Sequence, residues 1–126
     1  MHSLQAANNY TSSLAHLKRF EEAKALLRRT VPVARRVLGD GHRVTLKMRW
    51  TYAMALHDDP RATLGDFREA VTTFEDTGGI ARRMLGPSHP LVGVNERCLR
   101  NARAAARARE LNVSSLADEL EAMTPT

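Results

Sequence analysis

Histidine, cysteine and arginine are the side chains through which this sequence could do chemistry. His16, His42, His57, His89 and the single Cys98 offer imidazole nitrogens and one thiol, the groups that ligate zinc or act as base and nucleophile. A metal site built on one segment needs ligands at short spacing, such as two histidines a helical turn apart or paired cysteines. His42 and His89 lack a second ligand at such spacing, and His16, His57 and Cys98 fall on different predicted helices. The sequence also has no glycine-rich phosphate loop and no nucleophile elbow. It therefore predicts no catalytic residue, no metal and no cofactor.

Arginine gives a second kind of chemistry, the binding of anions. Arg97, Arg100, Arg103 and Arg107 fall within about a third of a helical circumference at 3.6 residues per turn. Like charges so placed repel by a few tenths of a kcal/mol per pair, and Glu96, four residues before Arg100, offsets only part of that. The row reads either as the solvated face of a terminal helix or as a surface for a phosphate-rich partner, a nucleic acid or an anionic surface. Nineteen Lys and Arg against fourteen Asp and Glu give a net charge of +5, which favours anionic partners without naming one. With aromatics at 5% and no base-reading motif, nucleic acid is the weaker alternative.

These residues are positioned by elements that occur twice. Ala34-Arg35-Arg36-Val37-Leu38-Gly39-Asp40-Gly41-His42 returns as Ala81-Arg82-Arg83-Met84-Leu85-Gly86-Pro87-Ser88-His89. The match runs back to Phe20-Glu21-Glu22-Ala23 over Phe67-Arg68-Glu69-Ala70 at a constant offset of 47, from His42 to His89. A period of that size belongs to helical repeats, whose units bury their apolar faces only by stacking on a neighbour. Ala and Leu dominate the apolar residues, so the expected class is all-α, made of tandem antiparallel helix pairs. Surface recognition is the function to expect of such an array.

The apolar spacing predicts a first helix carrying Leu4, Ala7, Tyr10, Leu14 and Leu17, and a second over about 20–38. Acidic residues open the second helix, Arg35 and Arg36 close it, and Gly39 stops it. A third helix over about 44–57 is apolar on most of its surface and is expected to be sandwiched. A turn-rich connection, 58–63, precedes a fourth helix over about 65–85, ended by Gly86-Pro87. Ser88 is the predicted N-cap of a fifth helix over about 91–111, with Pro90 in its first turn. Its face Leu91, Val94, Cys98, Leu99, Ala102, Ala105 and Ala106 is expected to pack on the fourth helix. A break at 112–115, a short acidic helix over 116–123 and three frayed residues complete the chain. Val31-Pro32 aligns with Gly78-Gly79, and these breakers predict a bend at the same place in the second and fourth helices.

Phe20-Glu21-Glu22-Ala23, then Val37-Leu38-Gly39-x-x-His42, resembles the tetratricopeptide repeat in the long form found in kinesin light chains. The second copy, Leu85-Gly86-Pro87-Ser88-His89-Pro90, is closer still at that loop, and Asn8-Asn9 falls where the family carries paired asparagine. Lys18 stands at a family glycine, and Trp50-Thr51 replaces the paired asparagine in the second unit. The resemblance implies a right-handed superhelix of helix pairs acting as adaptor or scaffold, with a concave groove that takes a protein or peptide ligand. Carried over residue by residue, it implies groove positions Gln5, Asn8, Ser12 and His16, then Lys47, Trp50 and Met54, then Val94, Arg97 and Asn101. Asn8, Ser12, Lys47, Trp50, Met54, Arg97 and Asn101 are the candidate binding residues. An asparagine amide can both donate to and accept from a peptide backbone, and Trp50 could anchor an apolar side chain.

The expected organisation is a repeat domain over 1–111, with unit one at about 4–41, unit two at about 42–88 and a capping helix at about 89–111, followed by a helix and tail over 112–126. A single cysteine fits a reducing, cytoplasmic compartment. No stretch approaches the roughly 18 apolar residues of a membrane span.

Overall fold

The computed structural model describes residues 2–124 and contains five helices: α1 (His2–His16), α2 (Phe20–Leu38), α3 (Arg43–Asp58), α4 (Leu64–Leu85) and α5 (Pro90–Ala122). Among the described residues there is no strand. Turns of three to five residues join successive helices and fold them back on each other. α1 packs on α2 and α3, α2 on α3, α3 on α4, and α4 on α5. The architecture is two helix pairs and a capping helix.

The repeat is visible in the backbone. Gly39 and Gly86 follow α2 and α4 with φ of 95° and 93°, a region open to glycine, and their N–H groups bond Arg35 and Arg82 carbonyls at 3.1 and 3.0 Å. A Cβ at either glycine would meet nothing, so conformation alone demands glycine there. His42 and His89 then cap α3 and α5: each Nδ1 accepts the N–H two residues on, from Val44 at 3.1 Å and Leu91 at 3.2 Å. The N-cap of α5 is therefore His89 rather than Ser88. At α4 the cap is Thr63, which forms a reciprocal pair with Asp66 at 3.1 and 2.9 Å.

Two cores result. Leu4, Leu27, Ala34 and Met48 bring α1, α2 and α3 together, and Ala53, Leu56, Ala70, Phe74 and Ala102 do the same for α3, α4 and α5. The predicted sandwiching of α3 follows from its membership of both. Beneath the α3–α4 turn, buried Lys24 and Asp59 pair at 3.1 Å, and Glu21 reaches the same ammonium at 2.8 Å. Burial opposes the charge on Lys24, but the bonds to Glu21 and Asp59 outweigh it and raise its pKa. The Arg61 N–H, at 2.9 Å, and the Lys24 ammonium hold Asp59 below the usual carboxylate range.

Several expectations are corrected. The break at 112–115 does not occur, and α5 runs unbroken from Pro90 to Ala122. Between Gly93 and Pro125 there is neither Gly nor Pro, and the Asn, Val and Ser there cost only a fraction of a kcal/mol each, roughly up to 0.7. Of the three residues expected to fray, Pro125 and Thr126 lie outside the described residues. On α5 it is Val92 and Asn95 that turn inward, while Val94 is 45% exposed. Tyr10 and Leu17 likewise face solvent. Helical structure continues through both Val31-Pro32 and Gly78-Gly79, so neither site breaks its helix. Gly78 has its own cause, since a methyl group there would collide with the Asn95 amide nitrogen, whereas Gly79 has room.

Candidate partner-binding groove

A cleft of about 510 Å³ lies between the C-terminal part of α1 and α3. Ser12, Ala15 and His16 of α1 form one wall, Lys47, Trp50, Thr51, Met54, Ala55 and Asp58 of α3 the other, and Lys18 and Phe20 close its end. Five of the predicted groove positions, Ser12, His16, Lys47, Trp50 and Met54, are thus brought together. Asn101 lines a smaller adjoining space of about 80 Å³ with Met54, His57, Asp58, Phe74 and Cys98. Arg97 is exposed on α5. Cys98 packs against the second core, and burial pushes its thiol pKa up, which disfavours the reactive thiolate.

Trp50 is fixed from behind. Its Nε1–H donates to Asn95 Oδ1 at 2.6 Å and to Thr77 Oγ1 at 3.1 Å, and the Asn95 amide donates to the Phe74 carbonyl at 2.8 Å. The indole's polar edge is therefore satisfied inside the protein, and its ring is left as a rigid cleft wall. Sequence reasoning missed Asn95. The available signal was a lone amide at helical spacing between Val92, Leu99 and Ala102, on an otherwise apolar stripe.

Asn8 is not a groove residue in this fold. It is 5% exposed and shares the inner face of α1 with Leu4 and Thr11, and its Oδ1 has no hydrogen-bond partner among the described residues. Helical phase explains the correction. Asn8 lies one turn from Leu4, which points into the first core, whereas Ser12 and His16 lie further round towards α3.

Arg97, Arg100, Arg103 and Arg107 are all exposed, but carboxylates intrude on the row. Arg103 pairs with Glu75 at 3.0 Å, and the Arg68–Glu110 pair closes at 2.9 Å; Arg68, Arg103, Arg107 and Glu110 line a cleft of about 580 Å³. Glu96 pairs with Arg82. At the offset of 47, Arg100 and Arg103 correspond to Ala53 and Leu56, the residues through which α3 enters the second core. The row thus gives α5 a charged outer face where α3 has an apolar one.

Among the described residues no three His, Cys, Asp or Glu side chains gather as metal ligands, and no helix is long and apolar enough to cross a membrane. Residues 3–43 match the family model described as tetratricopeptide repeat. The match covers α1, α2 and the glycine–histidine turn, so this part of the chain is similar to a tetratricopeptide repeat. No curated protein and no solved structure matches the chain.

Proposed function

We propose that this chain is a non-catalytic interaction module that holds a peptide or partner segment in the cleft between α1 and α3. The observation that carries the reading is Trp50, whose indole N–H is bonded inward to Asn95 while its ring, with Met54, walls an open cleft. A wall held before binding loses little freedom when a ligand arrives, which favours affinity. Ser12, Lys47, Trp50 and Met54 are the contact residues, with Asn101 extending the surface along α5. The duplicated Leu-Gly-x-x-His turn supports the long, kinesin-light-chain-like form of the repeat. A reducing, cytoplasmic setting accords with the single, half-buried Cys98.

Trp50 is the only tryptophan, so intrinsic fluorescence reports on this cleft alone. A peptide selected from a library against the intact protein should shift Trp50 emission, and Met54→Glu should weaken its binding at least tenfold. Selected peptides that leave the emission unchanged and bind Met54→Glu normally would end this reading.

A further inference from the structure

α5 outruns its partner. The start of α4 lies beside Arg109 and Glu110: Arg109 stacks 5.6 Å from the Phe67 ring, and Arg68 bonds Glu110. Beyond that point about 18 Å of helix projects, and every residue from Glu110 to Thr124 is exposed.

The projecting part is amphipathic. Val113, Leu116, Leu120 and Met123 follow at spacings of three, four and three, and are 50, 51, 66 and 78% exposed. Counting back by three and four from Val113 leads through Arg109 to Ala106 and Ala102, the face by which α5 packs on α4. The seam therefore continues an established helix–helix interface past the point where its partner ends. Asp118, Glu119 and Glu121 flank it, and the stretch after Arg109 has no Lys or Arg. Residues 1–110 hold all nineteen basic side chains against eleven acidic ones.

This charge division selects the occupant. Packing two such seams together would bring Asp118, Glu119 and Glu121 near their own copies. The α1/α3 cleft offers a more complementary surface: Trp50, Met54 and Ala15 supply an apolar lining, and Lys18 and Lys47 outnumber its one carboxylate, Asp58. Because α5 is one unbroken helix, it cannot fold back to reach its own cleft. We infer that the projecting end of α5 from one copy docks in the α1/α3 cleft of a second copy, head to tail. The inference rests on the groove reading and names its first ligand, an acidic amphipathic helix. Each copy has one cleft and one projecting end, so the contact propagates into short chains or closes into a ring.

Sedimentation equilibrium of the full chain at low salt should show a weight-average mass that rises from 14.0 kDa with concentration and falls back as salt is added. Leu116→Lys with Leu120→Lys should remain at 14.0 kDa, and so should Met54→Glu or, if that variant unfolds by circular dichroism, Lys47→Glu. The deciding sample mixes the seam variant with the cleft variant. One intact cleft and one intact seam remain, so the mixture should form a 1:1 complex of about twice 14.0 kDa that does not grow further. A wild-type mass fixed at the monomer overturns the inference. Association that needs Leu116 but survives the cleft variants overturns it too, since seam-to-seam packing would explain it. In either case a selected peptide that still shifts Trp50 emission leaves the groove reading standing.

Discussion

The indole N–H of Trp50 and the Oδ1 of Asn95 lie 2.6 Å apart, and through them α3 is tied to α5 across the second core. Thr77 of α4 bonds both, Asn95 at 3.2 Å and Trp50 at 3.1 Å, so three helices meet in one buried polar cluster. Replacing Asn95 by Leu removes the shorter of the two bonds made by the Trp50 N–H and one of the bonds of Thr77, and leaves Thr77 Oγ1 as the indole's remaining partner. Denaturant unfolding should register a loss of about 2 kcal/mol. In a double-mutant cycle with Trp50→Phe, the coupling should be at least about 0.5 kcal/mol. Additive effects would mean that the cluster does not act as a unit.

Adjacent glycines in α4 should respond with opposite signs. Gly79→Ala adds a methyl group that makes only an ordinary contact with the Arg83 side chain and gains helix propensity, so stability should rise by about 0.5–1 kcal/mol. Gly78→Ala drives the same methyl group into the Asn95 amide, which its bond to the Phe74 carbonyl holds in place. Overpacking of this kind costs about 1–3 kcal/mol and exceeds the propensity gain. Thermal melts of the two variants, side by side, test the contrast.

The Lys24–Asp59 pair should make stability depend on acid. The Asp59 carboxyl is held below its unfolded pKa, so its contribution is complete above the ordinary carboxylate range, about pH 4, and fades as pH falls through the lower, folded value. Asp59→Asn leaves the Lys24 ammonium buried without that partner and should cost about 3 kcal/mol at neutral pH. The variant should lose less than the parent on acidification, which a pH series of denaturation midpoints would reveal. Replacing both residues with apolar ones should recover most of the loss.

Lys18 has a φ of 62°, in the left-handed region that penalises a side chain. Lys18→Gly should therefore stabilise the fold by up to about 1 kcal/mol, measured by chemical denaturation. The same change removes one positive charge from the cleft edge. Binding of an acidic helix should weaken while stability improves, a separation that a purely structural role for Lys18 would not produce.

The departure at Lys18 also indicates what the sequence discloses. The chain bends there as if the glycine of the resembling family were present, so the turn was legible although its residue was not. The loops at 39–42 and 86–89 were readable because conformation and capping demand particular residues at fixed spacing, and the all-helical repeat followed from them. Asn8 and Asn95 were not readable. Whether an amide on an amphipathic helix turns inward depends on a rotation of a few tens of degrees about the helix axis, which neighbouring helices set. The continuity of α5 was hidden for a related reason. Asn112, Ser114 and Ser115 look like a terminus, yet no residue there forbids helix. Of the candidate site, the cleft-lining Ser12, Lys47, Trp50 and Met54 were legible through the resemblance, while the support behind Trp50 comes from two other helices, α4 and α5.

The sharing of α3 between two cores has a consequence for how such a chain can be lengthened or cut. The duplicated sequence runs from one phenylalanine, Phe20, to the next, Phe67, and takes in Leu27, Ala34 and Met48, whereas the first core also needs Leu4, which lies outside that interval. Heredity and folding thus count in different frames, offset by a helix. A cut placed at the turn before α3 would keep the α1–α2 pair whole but remove Met48 from Leu27 and Ala34. Recombination that respects the fold must instead carry α3 along with its predecessors.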